Sequence, residues 1–183
     1  MTFAIVKISP PEDNGNTDPT QREEEFLLKA NSFLKQSKTP ILNTYPNWRL
    51  DLIQDCPILS SLVLAATDLK YTYSVHVPLS ARYALVSFAP IDEVDANLNK
   101  WKSTIRKANS HQQNSSNKIS TNQNYWICDL NTDLQLFSAL VVSADNIGLS
   151  YTVDLLADEP LSITRSFSHN YDSIYDNNPV YPD

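Results

Sequence analysis

Apolar residues along this 183-residue chain fall into short runs that show one of two periods, and the periods predict the elements. Residues 2–8 (Thr2 to Ile8) are β-rich and stop before Pro10-Pro11, which predicts a strand. A loop follows over 9–19. Phe26, Leu27, Ala30, Phe33 and Leu34 then recur on one helical face, which predicts an amphipathic helix over 20–37. Thr20 and Glu23 read as a capping box at its start, and Thr39-Pro40 ends it. Trp48, Leu50 and Leu52 alternate with Arg49 and Asp51, the pattern of a half-buried strand. Runs 58–67, 70–78 and 82–89 have β character, and the breaks between them are short enough for hairpins. Ile58-Leu59 and Leu62-Val63-Leu64 also fit a 3.6 period, so strand and buried helix both remain open over 58–67.

A second helix is predicted over 92–108, with Asp92 as its cap. Val94, Leu98, Trp101, Ile105 and Ala108 form an unbroken apolar stripe there, which places Trp101 inside. Residues 109–124 hold one apolar side chain, Ile119, so 109–123 is read as an exposed, mobile polar loop. Further β-like runs occupy 124–130, 134–143, 149–157 and 161–167. Asn131-Thr132-Asp133 and Asp145-Asn146-Ile147-Gly148 supply turn chemistry between them, and Gly148 is read in a hairpin turn. Tyr151, Val153 and Leu155 oppose Thr152 and Asp154, as in an antiparallel strand with one wet face. No internal repeat is read beyond a loose recurrence of helix then meander. The expected fold is α+β: a largely antiparallel sheet with two amphipathic helices, 20–37 and 92–108, packed on one face. A single domain is expected over 1–167, followed by an acidic tyrosine-containing tail over 168–183.

Composition narrows the function. Only two glycines occur, Gly15 and Gly148. Dinucleotide turns, phosphate loops and nucleophile elbows need clustered glycines and are excluded. A net charge of −7 argues against nucleic acid and anionic membrane as partners, because both need a basic footprint. Cys56 and Cys128 lie far apart in apolar surroundings and read as buried thiols in a reducing compartment. The N-terminal run is too short for a signal peptide, and no run approaches a membrane span. A cytoplasmic location is expected, with a nuclear one also open.

Chemistry-bearing constellations are sparse. His76 falls on the polar side of its run with Thr72 and Ser74, where a solvated histidine is the plain reading. No two histidines or cysteines are spaced as zinc ligands, so no metal and no cofactor is expected. Lys100, Lys102, Arg106 and Lys107 around Trp101 complement a helix C-terminus rather than mark a nucleic-acid patch. Tyr171, Tyr175, Val180 and Tyr181, set among acids, are the candidate partner-binding residues. The expected function is a non-catalytic protein-interaction role, as a complex subunit, adaptor, assembly chaperone or immunity-type inhibitor, with a protein partner or a homo-oligomer. The alternatives are a small enzyme without a nucleotide loop, using Cys56 or Cys128, and a module that binds a small molecule.

Overall fold

A computed structural model describes residues 2–11, 19–34, 41, 47–89, 97–110 and 124–157. Strand β1 (Phe3–Ser9) leads to helix α1 (Pro19–Phe33), strand β2 (Asn47–Asp51), helix α2 (Cys56–Asp68) and strand β3 (Thr72–His76). A single 3-10 turn, Leu79–Ala81, joins this half to the next. Strand β4 (Tyr83–Phe88), helix α3 (Asn97–Ser110), strand β5 (Tyr125–Asp129), helix α4 (Leu134–Ile147) and strand β6 (Tyr151–Leu156) then repeat the same order. Two antiparallel three-stranded sheets result, ordered β2-β1-β3 and β5-β4-β6. The α+β class and the antiparallel pairing follow the sequence reading.

Several expectations are corrected. The run 134–143 is helical rather than a strand, and 58–67, whose pattern fits either, is helical too, so four helices are described rather than two. The reason is burial. Leu59 to Ala66 are buried without a gap in α2, and Leu136 to Ala144 in α4. A helix covered on all sides has no wet face to print a 3.6 period on the sequence. β3 and β4 do not form a hairpin: β3 pairs with β1, and β4 pairs with β5 and β6. Gly148 does not turn a hairpin either. It ends α4 in the left-handed region at φ 73°, where Leu149 N–H reaches the Ala144 carbonyl at 2.9 Å. Thr20 lies inside α1, which starts at Pro19, a residue suited to the first helical turn. The expected loop 109–123 is corrected at its start, where Asn109 and Ser110 are the last residues of α3; Asp92, 111–123 and the run 161–167 lie outside the described residues.

The two halves are copies. Between 48–75 and 126–153, ten of 28 positions are identical at a constant offset of 78, Trp48/Trp126, Asp51/Asp129, Asp55/Asp133, Leu62/Leu140 and Tyr73/Tyr151 among them. Strand register is the same in both halves: Val6 faces Trp48 and Val75, and Val86 faces Trp126 and Val153. The strand-to-helix corner is repeated bond for bond. Asp55 Oδ2 accepts Asp51 N–H at 2.9 Å, and Asp51 Oδ1 accepts Ile53 N–H at 2.9 Å. Asp133 Oδ2 accepts Asp129 N–H at 3.3 Å, and Asp129 Oδ1 accepts Asn131 N–H at 2.9 Å. The absence of a repeat in the sequence reading is therefore wrong.

Helices α2 and α4 pack along each other, with α1 against α2 and α3 against α4. One continuous core runs through both halves, from Val6, Trp48 and Leu62 to Val86, Trp126 and Leu140. Aromatic rings tie the outer helices to the sheets. Phe26 of α1 lies 6.1 Å from Trp48, and Phe88 lies 5.3 Å from Trp101 of α3 and 5.5 Å from Trp126.

The repeat yields a paired prediction. The residue that ends α4 is Gly148, but its equivalent at the end of α2 is Lys70, held at φ 60°. A side chain in this region is strained by about 1 kcal/mol. Lys70→Gly is therefore expected to be neutral or to stabilise by up to about 1 kcal/mol, less the extra entropy that glycine gives the unfolded chain. Gly148→Ala should destabilise by about 1 kcal/mol although open space surrounds the new Cβ. Urea denaturation of both variants checks the opposite trends.

Candidate interaction face

Enzyme-type chemistry finds little support in the described residues. Burial pushes the Cys56 thiol up to about 12, and desolvation raises that of Cys128 as well. Neither is a nucleophile at neutral pH. Cys56 Sγ lies 3.9 Å from Tyr151 Oη, and Tyr151 is hydrogen-bonded to Asp145. Burial also raises the pKa of both Tyr151 and Asp145, because desolvation disfavours their charged forms. Among the described residues no group of three His, Cys, Asp or Glu side chains is placed to hold a metal ion.

Two clefts among the described residues are of a size to hold a small molecule. One, of about 420 Å³, lies between β3 and the start of α4, where Gln135 Nε2 donates to Tyr73 Oη at 3.0 Å. The other, of about 800 Å³, is open and runs past Lys100 and the turn from Asp145 to Tyr151. Tyr73 and Tyr151 are equivalent positions, yet one meets a glutamine and the other a thiol.

The sheet faces show more. In β1 Ala4, Val6 and Ile8 are buried, while Ile5, Lys7 and Ser9 are exposed. In β2 Trp48 and Leu50 point in, and Asn47 and Arg49 point out. In β3 Thr72, Ser74 and His76 are exposed, as the sequence pattern predicts for His76. Pairing sets Arg49, Ile5 and His76 in one row across this sheet, and Asn47, Lys7 and Ser74 in the next. The Arg49 guanidinium lies 3.8 Å from the centre of the Phe3 ring, which lays the cation flat on the face.

Among the described residues the face has one acid, Asp51, and it is buried. Asp51 is 6% exposed. Its carboxylate accepts the N–H groups of Gln54 and Ile53 at 2.8 and 2.9 Å, which hold its pKa below the usual carboxylate value. Lys7, Arg49 and His76 take part in no ion pair with the described residues.

The equivalent face in the second half is different. Lys7 is replaced by Ser87, Arg49 by Ile127 and His76 by Asp154. Asp129 there pairs with Arg82 at 3.1 Å. Most inward positions behave oppositely: Ala4/Ala84, Val6/Val86, Trp48/Trp126 and Val75/Val153 are identical, and Ile8/Phe88 and Leu50/Cys128 differ but stay apolar. Packing demands the same shape inside both halves, so identity is retained there. Nothing in the fold demands cations outside the first sheet.

The chain matches no family model and no curated protein. The candidate site is therefore argued from its geometry alone. Each member sits at an alternate position of its strand, which the sequence shows. That Lys7, Arg49 and His76 are neighbours follows only from the β2-β1-β3 order. The partner-binding residues predicted from sequence, Tyr171, Tyr175, Val180 and Tyr181, lie outside the described residues. Trp101 is buried, so the basic residues around it do not frame an exposed aromatic. No helix among the described residues is long and apolar enough to cross a membrane.

Proposed function

We propose that this chain is a non-catalytic interaction protein, acting as a subunit, adaptor, assembly chaperone or inhibitor. The observation that carries this reading is the divergence of the two outer sheet faces in a duplicated fold whose inner faces are retained. A face that packing leaves unconstrained, yet that differs in charge from its copy, is suited to recognition rather than to support. Buried thiols whose pKa values lie far above neutrality favour this reading over the cysteine enzyme.

The test is a mass measurement. The full chain, isolated from its native source at mild ionic strength, is passed through size exclusion with light scattering. A species heavier than one chain is expected, with a second polypeptide in fixed proportion. A single-chain mass, with nothing retained, overturns the reading.

A further inference from the structure

We infer that the outer face of the β2-β1-β3 sheet binds an acidic polypeptide segment, with carboxylates meeting Lys7, Arg49 and His76 and an apolar side chain lying on Ile5 and Phe3. This rests on the interaction reading above and names the partner's chemistry. Ile5 is 37% exposed at the centre of the row, so an apolar side chain stands open between the cations. Two cations and an imidazole surround it, and Arg49 is already fixed over Phe3. Such a fixed guanidinium loses little freedom when a carboxylate arrives.

Charge selects among occupants. The chain as a whole carries −7, so its long-range field repels a long polyanion. A nucleic acid or an anionic membrane needs many cations to overcome that, and the face provides two and a histidine. A short acidic segment needs only contact-range pairing. A second copy placed face to face would bring like charges together, which is unfavourable.

The experiment uses the full chain and four labelled probes followed by fluorescence anisotropy. These are a peptide of glutamates flanking leucine and phenylalanine, the same peptide with lysines for glutamates, a single-stranded RNA of similar length, and the labelled chain itself. The acidic peptide is expected to bind, and to weaken as salt rises through the range where the Debye length falls below about 10 Å. Lys7→Glu with Arg49→Glu should weaken it by about tenfold or more. Ile5→Ser should weaken it at both low and high salt, which pure charge attraction would not do. Asp154→Lys on the other sheet should leave it within about twofold. All replaced side chains are exposed, and an unchanged melting temperature confirms that the variants are folded.

Absence of acidic-peptide binding overturns the inference. So does equal binding of the lysine peptide, or indifference to the double charge reversal. Preferred binding of RNA, or self-association that the reversal abolishes, assigns the face to another occupant and overturns it too. If the native complex forms but the Lys7/Arg49 variant still retains the partner, this inference fails while the interaction reading stands.

Discussion

Trp101→Ala is expected to lower the unfolding free energy by about 3–5 kcal/mol. Trp101 is 2% exposed and is among the largest fully buried side chains. Its ring meets Phe88 at 5.3 Å, and Phe88 in turn meets Trp126 at 5.5 Å and Tyr151 at 6.2 Å. Truncation removes the transfer energy of a large apolar side chain. It also leaves a cavity that Phe88 cannot close, because strand pairing beside Tyr151 fixes its backbone. The other half answers the same need differently: Phe26 of α1 packs on Trp48, with Ile8 where Phe88 stands. Urea denaturation followed by far-ultraviolet circular dichroism measures the loss. A value below about 1 kcal/mol would contradict this placement of α3. Leu28→Ala on the exposed side of α1, where the side chain is 72% exposed, is the control and should stay within about 0.5 kcal/mol.

Leu62→Ala and Leu140→Ala are each expected to cost about 2–5 kcal/mol. Both side chains are fully buried, and they are equivalent positions in the two helices that pack along each other. Because the halves share register, corner hydrogen bonds and inner-face residues, the two losses should agree within about 1 kcal/mol, the ordinary scatter of context. One large and one negligible loss would mean that the halves do not share one core on equal terms. The double variant adds a further reading. Positions in one packed interface couple by about 0.5–3 kcal/mol, whereas independent sites add. A clear departure from additivity would show that α2 and α4 fail as one unit.

These positions also show what could be read from the chain before its structure. Trp101 was placed by a stripe over four turns, because α3 has one dry and one wet face. Leu62 and Leu140 were not placed in that way. Their helices are buried on nearly every side, so their runs read as strands or stayed ambiguous. Val63, Val141 and Val142 added β-branched residues to that ambiguity. The repeat was present as the twin turns Asp51-Leu52…Asp55 and Asp129-Leu130…Asp133. It escaped a reading by period because the first strands are offset by 80 and the rest by 78, with dissimilar connections between.

The interaction face divides in the same manner. Alternation along single strands sent Lys7, Arg49 and His76 outward, and that much was legible from the chain alone. Their grouping depends on which strands pair, and the pairing skips across α1 and α2. Hairpins between successive runs would put β3 beside β4 and separate His76 from Lys7 and Arg49.

By itself, then, the sequence determined the α+β class, the strand faces, the two amphipathic helices, the buried thiols and the absence of glycine-rich phosphate loops. Each of these is decided within a few neighbouring residues, by side-chain period or backbone freedom. Only the tertiary structure decided the duplication of register, the two fully buried helices and the basic face of the first sheet. Those depend on contacts between residues far apart in the chain, where burial on all sides erases periodicity and strand order sets which charges stand together.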